Sequence, residues 1–402
     1  MSVRKLIFIH SGHHNDVIVC DNMRAVESSL AIEIIECNMG KPADLDAFVK
    51  SVQKHAEDVF AVMGLNTTIV KQLYDSGVAI HEALHVPLVI FVMDHPAHFV
   101  QEFLEDKVNT LYVFGSPEHE KFWTRFCPGQ NKTCNVQIGG WSPRVIPEDS
   151  SYEAFLAREN HVFIPLNLRM RGADFDNWLE FAKKKPAPVQ EVVELAFAMI
   201  STKLDMNVDV AIDNALADKS IELNRSDRID ASFIVDSIAK MWRRNFLIGS
   251  IIDLPVIVSS ENIPAALANQ FSEKFVNTKG YDTIRLFNRF RFVLNASPPT
   301  PNMVHDRINN CINSEAALIT EASPGICKFL VPGKDFIAYE YDRDSIRGQI
   351  IEAMDDPRSA YEMTISAKEN WNRQELNFRP LKELMDKIDL MRRNIQVADA
   401  VS

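Results

Sequence analysis

The side chains best suited to binding an anion stand close together in the second half of the chain, at His305 and Arg307. The apolar run Phe290–Leu294 before them predicts a buried strand, and the helical spacing that starts at Ile308 predicts a helix. Polar residues at such a strand-to-helix junction face the crevice beyond the strand ends. A helix start adds free N–H groups and the positive end of a dipole. We therefore expect an anion site here, and the alternative is a solvated arginine beside a capping histidine.

The segment from Phe290 to Met385 resembles the C-terminal signature of glycosyltransferases of the GT-B fold, specifically the spore maturation protein (CgeB-like) glycosyltransferase family. In that family a strand ends in Leu-Asn, a Glu-Arg pair starts the next helix, and the following strand ends in Thr and an acidic residue. A Pro-Gly-Lys loop ending in Asp or Glu comes next. The chain has matching residues at Leu294–Asn295, His305–Arg307, Thr320–Glu321 and Val331–Asp335.

A looser resemblance covers Val86–Phe99, where the family has an apolar strand ending in Asp-Asp-Pro and this chain has Asp94–Pro96. Three positions depart from the family pattern. Asp306 replaces the usual Glu, which is a mild change. Asn310 stands where the family often has a helix glutamate, and Glu315 stands where it often has a small glycine. The resemblance implies that the helix glutamate holds a hydroxyl of the donor, so the departure at Asn310 bears on donor binding.

The resemblance implies a metal-independent glycosyltransferase that moves a sugar from a nucleotide diphosphate donor to an acceptor hydroxyl. His305 would act on the leaving group, and Arg307 would stabilise its phosphates. The residues expected to line the sugar and nucleoside are Asn295, Asn310, Thr320 and Glu321. Arg169 and Arg171 are candidates for a clamp on the diphosphate, because guanidinium groups fit phosphate oxygens; their alternative is a solvated surface position.

Three side chains are candidates for the general base that takes the proton of the acceptor hydroxyl. Asp94 and His95 follow a predicted strand and precede a proline that keeps the loop extended. His13 follows the first predicted strand, beside Gly12, where the backbone can approach a ligand closely. Exposed loop histidines without a catalytic role would give the same pattern.

Two other functions compete with the transferase. One is a GT-B scaffold without catalytic activity that serves as a binding or assembly subunit, and Asn310 is the feature that favours it. The other, ranked third, is a zinc hydrolase, because His81-Glu82-Ala83-Leu84-His85 has the H-E-x-x-H spacing of a zinc-binding helix. Pro87 argues against this motif, since it ends the predicted helix at once.

Composition limits the function classes. The chain has 402 residues, enough for two substantial cores, and a formal charge of −12 that argues against a general nucleic-acid binder. No apolar run is long enough to cross a bilayer, and the six cysteines form no Cys-x-x-Cys pair. We expect a cytoplasmic protein without a transmembrane segment and without a metal or other cofactor. Its partners would be a nucleotide-sugar donor and a glycan, protein or small-molecule acceptor.

Alternating strand and helix signals predict an α/β protein with two Rossmann-like domains. We expect an N-terminal acceptor-side domain at 1–150 and a C-terminal nucleotide-sugar-binding domain at 151–379. A terminal helix at 380–402 would cross back and pack on the first domain. Among the individual elements, we predict a helix at Met23–Leu30 and strands at Asn135–Ile138 and Thr283–Leu286.

Overall fold

The computed structural model describes residues 3–39, 48, 50, 52–65, 80–100, 109–127, 129, 132–136, 145–168, 173–203, 205–260 and 263–401. The chain forms two compact units. The first unit consists of Met1–Ile138 together with Asn377–Ser402, and the second consists of Gly139–Leu376.

Each unit is built on a parallel sheet. The strands are β1 (Arg4–His10), β2 (Ile32–Asn38), β3 (Val59–Leu65), β4 (Leu88–Val92), β5 (Thr110–Phe114), β6 (Lys132–Asn135), β7 (Glu159–Pro165), β8 (Val256–Ser259), β9 (Phe275–Val276), β10 (Phe290–Leu294), β11 (Ala317–Glu321) and β12 (Ile337–Tyr339). The first sheet has the order β2-β1-β3-β4-β5-β6, and the second has the order β12-β11-β10-β7-β8-β9. Every residue of β3, β4 and β5 is buried, as expected for parallel strands covered on both faces.

Helices connect the strands. In the described residues they are α1 (His14–Arg24), α2 (Glu27–Leu30), α3 (Ile80–Ala83), α4 (Pro117–Phe126), α5 (Tyr152–Ala157), α6 (Phe175–Ala182), α7 (Ala187–Thr202), α8 (Val208–Lys219), α9 (Arg225–Ile251), α10 (Ala265–Gln270), α11 (Tyr281–Arg285), α12 (Asp306–Asn313), α13 (Pro324–Cys327), α14 (Arg343–Asp355), α15 (Pro357–Arg373) and α16 (Arg379–Val401). None of them is long and apolar enough to cross a membrane. The α/β class with two parallel sheets is the predicted one.

The terminal helix α16 packs on the sheet of the first unit. Leu384 and Ile388 are completely buried, in the same apolar cluster as Phe60 of β3. Arg4 of β1 pairs with Asp389 and places its guanidinium 5.0 Å from the centre of the Phe60 ring. The apolar stripe of the helix therefore completes one face of the first core.

Four helices, α6 to α9, are inserted between β7 and β8 and form a helical module with its own core. The longest of them, α9, starts at the cap Asn224, whose side-chain oxygen accepts a hydrogen bond from Asp227 N at 2.9 Å. Ile234 of α9 packs in the core of the module. Leu247, further along the same helix, packs in the core around the second sheet. One continuous helix thus links the module to the sheet.

Three local predictions were wrong. The first helix begins at His14 rather than at Met23, and β6 lies at Lys132–Asn135 rather than at Asn135–Ile138. Thr283–Leu286 is not a strand, although Thr283 and Ile284 are β-branched. Gly280, with φ of 54°, precedes the helical turn α11, and Ile284 is buried on that turn. Burial of a single apolar side chain outweighed the local strand propensity here.

Candidate functional site

The carboxyl ends of β7, β10 and β11 lie side by side, because these strands are parallel neighbours in the second sheet. Asn295 follows β10, Thr320 and Glu321 end β11, and His305 caps the start of α12. The structure therefore brings most of the predicted donor-side residues to one edge of the sheet. Arg169 and Arg171 lie outside the described residues.

Glu321 fixes the loop that follows β10. One carboxylate oxygen accepts a hydrogen bond from Ser297 N at 3.1 Å, and the other accepts from the Thr320 hydroxyl at 3.1 Å. The Tyr339 hydroxyl lies 3.2 Å from the second oxygen and 2.8 Å from the Asn295 carbonyl oxygen, so its one proton serves two acceptors. Burial and the nearby Glu321 carboxylate raise the pKa of Tyr339 well above its usual value, which keeps this proton in place.

One polar atom of the Asn295 side chain has no hydrogen-bond partner among the described residues. The side chain is completely buried, and its Nδ2 donates to Ser297 Oγ at 2.9 Å and to Thr320 Oγ1 at 3.1 Å. Its Oδ1 has no hydrogen-bond partner in the part of the chain that the structure describes. A buried acceptor without a donor costs about 1–3 kcal/mol. A hydroxyl of a bound ligand is a group that could satisfy it.

Arg307 places a buried cation at the same edge. Its side chain is 8% exposed, and its Nη1 donates to the carbonyl oxygen of Pro165, the last residue of β7, at 3.3 Å. Burial lowers the pKa of Arg307, while the nearby carboxylates of Asp306 and Glu321 act in the opposite direction. A guanidinium stays protonated through such shifts, so the site keeps its positive charge.

His305 faces Arg307 with both ring nitrogens. Burial and the Arg307 charge lower its pKa. Its Nε2 lies 3.1 Å from Arg307 Nη2, and its Nδ1 accepts from Arg307 N at 3.3 Å and from Arg307 Nε at 3.2 Å. Nδ1 also contacts the Asp306 carboxylate. Burial alone would raise the pKa of Asp306, but His305 and Arg307 outweigh it and lower that pKa to about 2.

Two arginines of α9 that the sequence analysis did not single out also reach this edge. Arg243 is 2% exposed, and its Nη1 donates to the carbonyl oxygens of Ser297 at 3.3 Å and Pro298 at 3.0 Å. Its guanidinium lies 5.6 Å from the centre of the Tyr341 ring. Arg244 Nη1 donates to Asn167 O at 2.7 Å. The signal in the sequence was a pair of adjacent arginines within a helical stretch rich in apolar residues.

The Val331–Asp335 motif stabilises the fold and does not contribute a side chain to the donor-side edge. Asp335, in the Val331–Asp335 motif, is 1% exposed and accepts hydrogen bonds from three groups. They are Val331 N at 2.8 Å, Ser366 Oγ at 2.6 Å and Asn370 Nδ2 at 2.7 Å. The carboxylate therefore closes its own loop and ties it to α15.

Glu315 shows why a glycine is common at its position. It has φ of 53°, and the helix α12 ends there in a Schellman motif, with Glu315 N bonded to Ile312 O and Ala316 N bonded to Cys311 O. Glycine adopts this left-handed conformation without strain. Here the buried Glu315 carboxylate pairs with Lys368 and accepts from another side chain, which offsets part of the strain. Asn310 is buried on α12, 5% exposed.

The acceptor-side candidates belong to the first unit and differ in exposure. Asp94 is exposed after the end of β4. His95 is only 2% exposed, because its Nδ1 accepts from Ala97 N at 3.2 Å and its ring packs edge-on against His119 and Phe122. His95 therefore shapes the turn after β4, and Asp94 is the exposed residue of the pair.

His13 is exposed in the loop after β1, and a buried histidine organises that loop. His10 Nδ1 accepts from Gly12 N at 3.0 Å, so its other nitrogen carries the proton and donates to Glu36 at 2.8 Å. Gly12 has φ of 84°, and a Cβ there would lie 3.0 Å from Asn38 Oδ1. The loop thus needs a glycine both for its conformation and for space.

The H-E-x-x-H segment does not form the continuous helix that a zinc site requires. Helix α3 ends at Ala83, and His85 lies beyond it with φ of 51°. His81 is buried. In the residues that the structure describes, no three histidine, cysteine or acidic side chains are grouped as metal ligands would be. The two histidines are therefore not presented on one helical face.

Residues 233–386 match a family model described as glycosyl transferase-like, which covers less than half of the chain and all the donor-side candidates from Arg243 to Glu321. A comparison with curated proteins finds no match. The CgeB-like assignment stays a prediction, since the matched model is a broader one.

Solved structures of other proteins align with at least 98% of this chain. A sucrose-phosphate synthase from Thermosynechococcus elongatus has a TM-score of 0.52 at 10% identity, covering 98% of this chain and 100% of that one. HepE of Anabaena, solved with UDP-glucose, has a TM-score of 0.49 at 11% identity, covering 99% and 100%. A glycosyltransferase from Rickettsia africae has 0.42 at 10%, covering 98% and 99%. The first likeness shows the fold, and together with the matched domain it supports a glycosyltransferase of the GT-B fold.

Proposed function

We propose that the protein transfers a hexosyl or related sugar from a nucleotide diphosphate donor to an acceptor hydroxyl, without a metal ion. The observation that carries the proposal is the buried Arg307 guanidinium between His305 and the end of β7. Ligands of open parallel sheets bind beyond the carboxyl ends of the strands, where this cation lies.

The chemistry at this edge matches the needs of a diphosphate leaving group. Negative charge develops on the phosphate oxygens as the bond to the sugar breaks, and preorganised N–H donors stabilise it best. The Arg307 guanidinium, at the start of α12, supplies such donors. Since Arg307 now donates to His305, a bound phosphate would replace that neutral acceptor with a charged one. Protein groups would thus perform the role of a metal ion.

The donor sugar would lie next to Asn295. Its unpartnered, buried Oδ1 can accept a hydrogen bond from a sugar or ribose hydroxyl. Thr320 and Glu321 are bonded to each other and to the loop after β10, so they would hold that loop in place for the donor. We propose that these two residues support the loop in addition to lining the ligand.

On the acceptor side, Asp94 is the base that we propose. It is exposed at the end of a central strand, whereas the ring of His95 is buried against His119. His13, exposed after β1, is the alternative base. We also propose that Arg169 and Arg171 clamp the diphosphate, on the strength of the resemblance alone.

The test uses binding and then product formation. Nucleoside diphosphates with different bases are screened by thermal shift, since a ligand that binds only the folded protein raises its melting temperature. The nucleotide that binds is then supplied as its sugar conjugate with candidate acceptors, with and without EDTA, and products are identified by mass spectrometry. Absence of any nucleotide binding would contradict the proposal, and loss of transfer in EDTA would contradict its metal independence.

A catalytically inactive GT-B scaffold is the second candidate, and Asn310 favours it. An amide cannot carry the negative charge of the glutamate that the family often has there. The scaffold would bind a nucleotide in the thermal-shift screen and yield no product in the mass spectrometer. A transferred sugar would rule it out.

A further inference from the structure

We propose that Arg243 and Arg244 are positioning residues that fix the distance between the two loops of the donor site. This inference rests on the proposed function. The two side chains are consecutive on α9, and each donates to the backbone of a different loop. Arg243 holds the loop after β10 through Ser297 and Pro298, and Arg244 holds the loop after β7 through Asn167.

The backbone N–H and the carbonyl oxygen of Ser297 are bonded by side chains of opposite charge. The Glu321 carboxylate accepts its N–H at 3.1 Å, and the Arg243 guanidinium donates to its carbonyl oxygen at 3.3 Å. These two side chains come from β11 and α9, which lie far apart in the sequence. The loop therefore has a single position relative to both elements, and loss of either charge would release one end.

The helix that carries the two arginines is itself rigidly supported. Ile238 of α9 is buried in the core of the helical module, and Leu247 is buried in the core of the second sheet. Arg243 and Arg244 lie between these two anchors. Because both loops are bonded to one helix that cannot shift easily, the helix sets their separation. The helical module inserted between β7 and β8 thus supplies the helix that holds both loops of the donor site.

Arginine-to-lysine variants separate positioning from charge. Lysine keeps the positive charge, but its side chain is one bond shorter, so in Arg243→Lys the ammonium should not reach the two carbonyl oxygens that Arg243 Nη1 now bonds. If the arginines acted only through long-range charge, the lysine variants would bind nucleotide like the wild type. If they position the loops, each variant should weaken nucleoside diphosphate binding about tenfold, the size expected for one lost hydrogen bond.

Arg228→Lys is the matched control. Arg228 is 3% exposed on the same helix and bonds Asp213 at 2.7 Å, within the helical module and away from both loops. This variant should lower the melting temperature and leave nucleotide affinity unchanged. Equal loss of affinity in Arg228→Lys would mean that any damage to α9 has this effect, and the inference would be wrong.

Nucleotide affinity is the first measurement that tests the positioning role. Calorimetry with the nucleoside diphosphate found in the screen is run on Arg243→Lys, Arg244→Lys and the double variant. Releasing either loop already abolishes the fixed separation, so the double variant should be at most about twofold worse than the poorer single variant. Fully additive losses, or wild-type affinity, would overturn the inference.

Hydrogen–deuterium exchange gives a readout that does not depend on a ligand. The Ser297 amide should exchange about tenfold faster in Arg243→Lys than in the wild type or Arg228→Lys, because its loop opens more often. Unchanged exchange would refute the positioning role. If the wild type binds no nucleotide, the proposed function is wrong. The exchange rate of the Ser297 amide still tests whether Arg243 positions the loop.

Discussion

Replacing Gly325 by alanine should destabilise the second unit and disturb the donor loop. Gly325 lies in α13, and its N–H donates to the Pro301 carbonyl oxygen at 2.8 Å. A Cβ at this position would lie 2.6 Å from the Asn302 carbonyl carbon and 2.7 Å from its oxygen. These are backbone atoms, so no side chain can rotate away. Either α13 or the loop after β10 must move.

The size of the effect follows from three terms. Overpacking a tight site costs about 1–3 kcal/mol. Losing or stretching the bond to Pro301 costs about 1 kcal/mol. Alanine restricts the unfolded chain more than glycine does, which returns about 0.4–1 kcal/mol. We expect a net loss of about 1–3.6 kcal/mol, seen as a drop of about 2–14 °C in the melting temperature of the second unit.

Gly348→Ala is the control for this prediction. Gly348 is inside α14, and a Cβ there would meet no atom within 4 Å. The substitution should stabilise the protein by about 0.5–1 kcal/mol, since alanine favours the helix. Both variants are followed by calorimetric melting and urea unfolding. If Gly325→Ala is as stable as Gly348→Ala, then the close approach of α13 to the loop is wrong.

Three further predictions concern the site. Arg307→Ala should weaken nucleoside diphosphate binding by about 1.5–3 kcal/mol in a folded protein, measured by calorimetry, because a charge-assisted hydrogen bond is lost. Asp94→Asn should reduce sugar transfer at least about a hundredfold without changing donor affinity; near-normal transfer, with loss in His13→Ala, would move the base to the histidine. The lowered pKa of Asp306 should make Asp306→Asn less stable than the wild type above pH 3.8. The difference should shrink as pH falls towards about 2, where the wild-type carboxylate becomes protonated. A gap that does not vary with pH in urea unfolding would contradict the ion contacts of Asp306.

The sequence predicted the alternation of strands and helices well, because a buried parallel strand leaves an unbroken apolar run. β4 is such a run, and β10 is one apart from Arg291; each is followed by polar residues that the structure places at the carboxyl edge. Their strand order could not be read from the sequence, since hydrogen bonds between strands join segments far apart in the chain. The short edge strand β9 has two residues and gives too little pattern to detect.

The candidate site was predictable in its location and less so in its detail. His305 and Arg307 were found from their place between a strand and a helix. The inward turn of the His95 ring depends on His119 and Phe122, which reach it only after folding. Arg243 was missed for a similar reason: its loop partners come from residues more than 50 positions away. A helical position alone cannot indicate such a contact.

The first unit is assembled from two separate parts of the chain, which affects the order in which the protein folds. Its core needs Leu384 and Ile388 of α16, yet the whole second unit is synthesised between Ile138 and Asn377. At about 5–20 residues per second, roughly 12–48 s pass before α16 is synthesised, and until then only the N-terminal helices cover this apolar face of the first sheet. The second unit is complete before that face is closed. The first-made sheet therefore reaches its full stability only after α16 has been synthesised.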